Sequence, residues 1–151
     1  MEIRELTTTE LNNLLDLYKH LHEEDEAIPC NGTLELTWEK IQSNPDYFCI
    51  GAFHHEQLIG SCCLIIVANL TRGCRPYAII ENVVIHRNFR RKGYGKAILQ
   101  HDLSIAWDKN CYKIMLQTGR LNEEIFRFYE RSGFDRNATQ AFVCKPPRKN
   151  K

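Results

Sequence analysis

Arg90-Arg91-Lys92-Gly93-Tyr94-Gly95-Lys96 is the stretch around which the rest of this sequence is arranged. It follows the apolar run Val83-Val84-Ile85 and precedes residues 97–107, whose apolar side chains recur at helical spacing. A strand that ends in a basic turn with two glycines and opens into a helix directs several backbone N–H groups and the positive end of the helix dipole to one point. The stretch therefore predicts a site for an anion, above all a phosphate.

Two common phosphate-binding motifs do not fit the stretch. A dinucleotide fingerprint needs a third glycine at position 98, which is Ile98. A P-loop needs glycine at position 90 and Ser or Thr at position 97, which are Arg90 and Ala97. Neither nucleotide-binding motif is therefore indicated.

Length and composition indicate one ordinary globular domain. The 151 residues are 43% hydrophobic and 26% charged, and the net charge is +1. We expect a single domain over residues 1–145 and a disordered basic tail over residues 146–151. The near-neutral charge argues against nucleic acid or a membrane surface as a partner, although a basic nucleic-acid binder built on residues 87–96 is a rival hypothesis.

Cysteine and histidine spacing indicates free thiols and no metal. The seven cysteines contain no Cys-x-x-Cys pair, and the first residues lack the apolar region of a signal peptide, so we expect a cytoplasmic protein. Neither the histidine pairs nor the adjacent Cys62 and Cys63 have the spacing of a zinc site. Cys62 and Cys63 would face opposite sides of a strand, so one of them is expected in the core.

The patterns of apolar residues predict an α/β fold of mixed sheet direction. A capping box formed by Thr7 and Glu10 would start the first helix, and Gly133 would follow the end of the last one. The predicted strands are 2–6, 47–53, 57–69, 77–85, 112–117 and 138–144, and the other predicted helices are 34–43, 97–107 and 121–132.

A second motif lies in the helix at 121–132. Asn122, Ile125, Phe126 and Tyr129 are spaced 0, 3, 4 and 7, so they share one helix face. Asn122 and Tyr129 are about 10.5 Å apart along the helix axis. One face can therefore reach one ligand at two points.

Together the two motifs resemble the GNAT superfamily of acetyl-coenzyme A dependent N-acetyltransferases, whose patterns are Arg/Gln-x-x-Gly-x-Gly/Ala and Asn-x-x-Ala-x-x-Phe-Tyr-x-x-x-Gly-Phe. Residues 81–134 carry the match, and the first 50 residues fit in pattern only. Ile125 departs from the usual alanine. The resemblance implies the α/β GNAT fold: a central mixed, mostly antiparallel sheet with a splayed parallel strand pair and helices on both faces.

The resemblance also implies acetyl-CoA as acetyl donor, without a metal. The backbone amides of residues 91–96 would hold its pyrophosphate, and the backbone of Val83 and Ile85 would bond its acetyl carbonyl and its pantetheine amide. Asn122, Phe126 and Tyr129 would contact it from the helix. The implied cofactor-binding residues are Val83, Val84, Ile85, Arg90, Arg91, Lys92, Gly93, Tyr94, Gly95, Lys96, Asn122, Phe126 and Tyr129.

Three residues would take catalytic roles. Val83 would stabilise the oxyanion through its N–H, and Tyr129 would protonate the leaving thiolate. The amine must lose a proton to a carboxylate, through water or in bulk solvent. Glu81 is the candidate carboxylate, two residues before Val83 and so on the same side of the strand. The alternative is that Glu81 is an edge carboxylate paired with a nearby arginine.

The implied reaction is direct transfer of acetyl to a primary amine of a small molecule. Residues 80–84, Ile-Glu-Asn-Val-Val, are similar to the amino-sugar phosphate acetyltransferases of the superfamily, but the match is too short to fix a substrate. The arginines of the loop 72–77 favour an anionic acceptor, whereas the acidic run 23–26 favours a cationic one. The alternatives are a peptide or protein acceptor and a catalytically silent CoA-binding module. The resemblance also implies a homodimer, since homodimers through the late strands are common in the family.

Overall fold

A computed structural model describes residues 1–22 and 25–147 of the chain. The chain divides into two compact units, Met1–Leu116 and Gln117–Lys151, and each is described by itself. Part of the acidic run, residues 23 and 24, and most of the predicted disordered tail, residues 148–151, lie outside the described residues.

The first unit is a five-stranded sheet flanked by three helices. The strands lie in the order β1-β2-β3-β4-β5, and all neighbours are antiparallel except the parallel pair β4 and β5. The mixed sheet of the sequence analysis is thus confirmed. The elements are β1 (Glu2–Glu5), α1 (Leu11–Tyr18), α2 (Thr33–Gln42), β2 (Tyr47–His54), β3 (Gln57–Val67), β4 (Tyr77–Ile85), α3 (Tyr94–Asp108) and β5 (Ile114–Leu116).

The start of the first helical segment is fixed by side chains of the predicted capping box. The carboxylate of Glu10 accepts from the N–H of Thr7 at 2.7 Å, and Arg4 donates to both of its oxygens at 2.7 and 2.9 Å. The hydrogen bonds from Arg4, more than any other contact, lower the pKa of Glu10 to about 2. A short 3-10 turn at Thr8–Glu10 leads into α1.

Helices cover both faces of the sheet. Two neighbouring residues of β3 contact helices on opposite faces of the sheet. Cys63 Sγ contacts the hydroxyl of Tyr18 in α1 at 3.7 Å, and Cys62 Sγ donates to Asp102 Oδ2 in α3 at 2.7 Å. Cys62 is 0% exposed and Cys63 is 2% exposed, so both are buried, whereas only one of them was expected in the core. A strand covered on both faces buries both sets of its alternating side chains.

The second unit contains one helix, α4 (Glu123–Arg131), among its described residues. The strand predicted over 138–144 is wrong, because these residues form no regular structure and Phe142 and Val143 are 92% and 71% exposed. β-branched and aromatic residues favour a strand only where an edge and an apolar surface are there to receive them.

Asp102 is a carboxylic acid in an apolar interior. None of its surface is exposed, and burial is the main cause that raises its pKa to about 7. Cys62 donates to one of its oxygens, and the other has no hydrogen-bond partner among the described residues. The protonated form is therefore the one that the core accommodates.

We predict that Asp102→Asn removes a pH dependence of stability. The folded state keeps the Asp102 proton up to about pH 7, whereas the unfolded chain releases it near pH 4. The unfolded state therefore binds fewer protons between these values, and the free energy of unfolding falls as the pH rises through them, by roughly 4 kcal/mol at most.

Urea unfolding at about pH 5 and about pH 8 measures this effect. The wild type should lose stability between the two, Asp102→Asn should lose much less, and Asp108→Asn, an exposed position at the end of the same helix, should behave as wild type. Equal losses in wild type and Asp102→Asn would refute the buried acid.

Candidate functional site

The turn between β4 and α3 is shaped by two residues in the left-handed region. Arg91 has φ 60° and Gly93 has φ 86°. α3 begins at Tyr94, three residues earlier than predicted, because Gly93 acts as its N-cap and accepts from the N–H of Ala97 at 3.0 Å. The N–H groups of residues 94–96 belong to the first turn and point away from the helix, where an anion can accept from them.

The space in front of Gly93 is open. A Cβ placed on this residue would meet no atom of the described chain within 4 Å. Glycine here supplies both the left-handed backbone and a clear approach to the amides. A phosphate group fits such a cradle.

Side chains fix the two ends of the turn. The Arg90 guanidinium donates to the carbonyl of Ile85 at 3.1 Å and to that of His20 at 3.0 Å. The Tyr94 hydroxyl lies 3.3 Å from Nδ1 of His54 in β2. The side chains of Arg90 and Tyr94 therefore hold the turn against the segment after α1 and against the sheet. The N–H of Tyr94 lies in the first turn of α3, whereas that of Arg90 donates to the carbonyl of Arg87 at 3.4 Å.

The parallel pair of strands is short. β4 and β5 pair only from Ala78 to Ile80 and from Ile114 to Leu116, whereas β4 continues to Ile85. Among the described residues of this unit, no strand pairs with that edge over residues 81–85. The backbone of the predicted oxyanion residue, Val83, lies in this part of β4.

A bulge interrupts β4 beside Val83. The register pairs Ser61 with Val84 and Cys63 with Glu81, and so skips Asn82 and Val83. Asn82 has φ 53°, a conformation that asparagine tolerates better than most residues. The extra residue of the bulge changes the alternation of side chains along the strand, and at a functional site this can redirect a side chain.

The inference that Glu81 and Val83 share a side of the strand was wrong. Paired residues of neighbouring strands point to the same face, so Glu81 and Val84 share the face of Cys63 and Ser61. Glu81 itself is exposed. The i, i+2 rule fails here because Asn82 is an extra residue, and the sequence gives no sign of it beyond the residue type.

In the second unit, α4 is capped at both ends by the residues of the second motif. Asn122 is the N-cap and accepts through Oδ1 from the N–H of Ile125 at 3.0 Å. At the other end Gly133 has φ 103°, and the N–H groups of Gly133 and Phe134 donate to the carbonyls of Glu130 and Tyr129. This is a Schellman motif, and it confirms the predicted place of Gly133.

The aromatic residues of α4 have different surroundings. The ring of Tyr129 lies 4.9 Å from that of Phe128 and 6.3 Å from that of Phe134. The guanidinium of Arg136 lies 4.7 Å from the centre of the Phe126 ring. Arg136 also pairs with two carboxylates of the helix, and its hydrogen bonds lower the pKa values of Glu123 and Glu130.

The loop 72–77, whose arginines are predicted to favour an anionic acceptor, is far from the glycine turn along β4. It lies at the start of β4, whereas the glycine turn follows its end, roughly 26 Å away at about 3.3 Å per residue. The Arg75 guanidinium donates to the carbonyls of Asn110 and Cys111 at 3.2 and 3.1 Å. Arg75 thus stabilises the end of α3.

Metal-binding clusters and membrane-spanning helices are absent from the described residues. Residues 1–22 and 25–147 contain no group of three His, Cys, Asp or Glu side chains arranged to hold a metal ion. Within the same residues, no helix has the length and apolar character that crossing a membrane requires.

Comparison with known sequences relates most of the chain to acetyltransferases. The model of the acetyltransferase (GNAT) family matches residues 11–134. The glucosamine 6-phosphate N-acetyltransferase of Trypanosoma brucei brucei is 33% identical over 137 residues, which cover 89% of this chain and 88% of that protein.

Comparison with solved structures agrees. A structure from Agrobacterium tumefaciens str. C58 is 33% identical and superposes with a TM-score of 0.87 over 96% of this chain and all of that one. An acetyltransferase of Trypanosoma brucei is 29% identical, with a TM-score of 0.79 over 95% of this chain and 99% of that one.

We predict that glycine is preferred over valine at position 82. A β-branched residue is strained in the left-handed region, so Asn82→Val should be less stable than Asn82→Gly by about 1–2 kcal/mol. Both variants lose the asparagine side chain, so their difference reports the backbone alone.

Urea unfolding gives the two free energies. The matched control is Gln57, an exposed residue at the start of β3, where valine should be more stable than glycine. If the valine variant were more stable than the glycine variant at position 82 as well as at position 57, Asn82 would be extended and β4 would have no bulge.

Proposed function

The chain belongs to the acetyltransferase (GNAT) family and is an N-acetyltransferase, and from this premise we propose that it transfers acetyl from acetyl-CoA to the amino group of glucosamine 6-phosphate. The observation that carries the acceptor is the 33% identity to a glucosamine 6-phosphate N-acetyltransferase over 89% of the chain. The similarity of residues 80–84 to amino-sugar phosphate acetyltransferases supports the same acceptor.

The turn between β4 and α3 fits the pyrophosphate of acetyl-CoA. The amides of residues 91–96 would bind its oxygens, and the open space in front of Gly93 supports this role. The backbone of Val83, Val84 and Ile85 would hold the pantetheine arm along the edge of β4 that β5 does not pair with. Asn122, Phe126 and Tyr129 would also bind acetyl-CoA, as the match of the second motif to the family pattern implies.

When bound, acetyl-CoA supplies the thioester. The N–H of Val83, beside the bulge, would donate to the carbonyl oxygen as negative charge develops on it. Tyr129 would give its hydroxyl proton to the departing sulfur. The amine proton would pass to Glu81, directly or through water, since this carboxylate is exposed on β4.

Free thiols support a cytoplasmic location. All seven cysteines, each within the described residues, are unpaired, as a reducing compartment would keep them. A single acetyltransferase domain over residues 1–145 remains part of the proposal.

The proposed function is tested by product analysis. The protein is incubated with acetyl-CoA and glucosamine 6-phosphate. Two matched control compounds are tested in parallel: glucosamine, which lacks the phosphate, and glucose 6-phosphate, which lacks the amine. We expect acetylation of glucosamine 6-phosphate, less of glucosamine and none of glucose 6-phosphate. Acetylation of peptides alone would favour a protein acceptor, and cofactor binding without any transfer would indicate a silent module.

We predict that Gly93→Ala weakens acetyl-CoA binding about tenfold or more, because the added Cβ stands in front of the amides. The matched control is Gly32→Ala. Gly32 is the N-cap of α2, has φ 81° and likewise has open space around it among the described residues.

Both substitutions should lower stability by about 1–2 kcal/mol, because alanine is strained in the left-handed region. Isothermal titration calorimetry should show the affinity loss for Gly93→Ala alone. Equal affinities of the two variants would mean that the turn does not bind the cofactor.

We predict that Glu81→Gln lowers kcat by about 10²–10⁴-fold, because the amide cannot accept the amine proton. Affinity for acetyl-CoA should be unchanged. Glu56→Gln, an exposed turn residue, is the control and should keep full activity. A kcat close to wild type in Glu81→Gln would assign the proton to water or bulk solvent.

Tyr129→Phe should also lower kcat, by about 10²-fold or more, with nearly unchanged cofactor affinity, because only the phenolic proton is removed. Tyr112→Phe, a half-buried tyrosine of the first unit, controls for loss of a hydroxyl. Turnover unaffected by Tyr129→Phe would remove Tyr129 from the reaction.

A further inference from the structure

Two cysteines face each other on neighbouring strands beneath α1. Cys49 of β2 is the register partner of Cys63 of β3, and their sulfur atoms are 3.7 Å apart. Each is 2% exposed. The proposed acetyl transfer uses neither of them.

The backbone at this pair has the separation that a disulfide needs. The carbonyl of Cys49 accepts from the N–H of Leu6 at 2.8 Å, so the backbone groups of Cys49 point to β1 and away from β3. Cys49 and Cys63 are therefore a non-hydrogen-bonded pair, with Cα atoms about 4.5 Å apart. This lies within the range of about 4.4–6.8 Å found for disulfides, so side-chain rotation alone can join the sulfurs.

The surroundings make the two sulfurs unequal. The Cys63 sulfur lies 3.7 Å from the Cys49 sulfur and 3.7 Å from the Tyr18 hydroxyl, and hydrogen bonding with Cys49 is the main cause that lowers its pKa to about 7. The same bond and burial raise the pKa of Cys49. A cysteine of lowered pKa beside a second thiol is the pairing of a nucleophile with a resolving residue.

We propose that Cys49 and Cys63 form a redox modification site that a hydroperoxide converts to a disulfide. The Cys63 thiolate attacks one peroxide oxygen, the O–O bond breaks, and hydroxide leaves with a sulfenic acid formed on Cys63. The Cys49 thiol then attacks this sulfur, the S–O bond breaks, and water is released. In sum, two thiols and hydrogen peroxide give one disulfide and two waters.

Oxidation would reach the proposed active site through the bulge. Cys63 is the register partner of Glu81, which precedes Asn82, the left-handed residue next to Val83. Disulfide formation turns the Cys63 sulfur toward Cys49 and changes the packing beside the bulge. We therefore expect slower acetyl transfer, a consequence that rests on the proposed function.

The site itself is tested by mapping the disulfide. In a variant whose exposed cysteines, Cys30, Cys74 and Cys144, are replaced by serine, intermolecular pairing is suppressed. The protein is treated with hydrogen peroxide, denatured, alkylated and analysed by mass spectrometry. We expect the loss of two hydrogen atoms and two unalkylated cysteines, with both effects reversed by dithiothreitol.

Neighbouring variants identify the partners. Cys62→Ala, on the opposite face of β3, should keep the cross-link, and Cys63→Ser should abolish it. Alkylation of all four remaining cysteines after peroxide treatment would overturn the proposal. A cross-link that survives Cys63→Ser would also overturn it.

The link to catalysis is measured separately on the same samples. The initial rate of glucosamine 6-phosphate acetylation should fall on oxidation and return with dithiothreitol. An unchanged rate in the cross-linked protein would refute control of the reaction by this pair. A protein inactive before oxidation would refute the proposed acceptor, and the disulfide map, which needs no activity, would stand.

Discussion

The backbone N–H groups at the start of α3 have no acceptors within their own helix, and the proposed binding of a phosphate depends on this. The N–H groups of residues 94–96 need water or a ligand oxygen, because the backbone cannot satisfy them. The left-handed conformation at Gly93 and the contacts of Arg90 with Ile85 and His20 keep these groups in a fixed place after β4. A fixed cluster of N–H donors at a helix start is what a pyrophosphate requires.

Helices pack on both faces of the sheet that leads into the glycine turn. β3 is buried along most of its length, and its adjacent cysteines contact α1 on one side and α3 on the other. In contrast to β3, β4 departs from regular geometry at Asn82 and no longer pairs with β5 after Ile80. Irregular backbone beside a rigid sheet can present N–H groups to a ligand instead of to a neighbouring strand.

Much of this architecture could be predicted from the sequence, because the signals are local. Alternation and turn residues placed β2, β3 and β4 within two residues of their ends, and the two glycine-containing motifs indicated the family. The strand expected over 138–144 failed because its residues favour β structure but stay exposed. Propensity describes a residue, whereas a strand also needs a partner.

The features that the sequence did not predict depend on tertiary contacts. One extra residue at Asn82 moves Glu81 to the face of Cys63, and no spacing rule announces a bulge. Cys49 and Cys63 face each other because of the register between β2 and β3. This register is set by the turn at His55 and Glu56 together with the burial of both faces. The buried carboxyl of Asp102 looks in the sequence like any polar residue of a helix.

Thermal unfolding with and without acetyl-CoA is the direct measurement of whether the turn before α3 binds this cofactor. At about 100 times the dissociation constant, a ligand of the native state adds about 2.7 kcal/mol to the free energy of unfolding. For a chain of this size we expect the midpoint to rise by roughly 5–10 °C, and adenosine triphosphate or a nicotinamide dinucleotide should not reproduce it. No shift at saturating acetyl-CoA would mean that the glycine turn is only a turn and would contradict the proposed function.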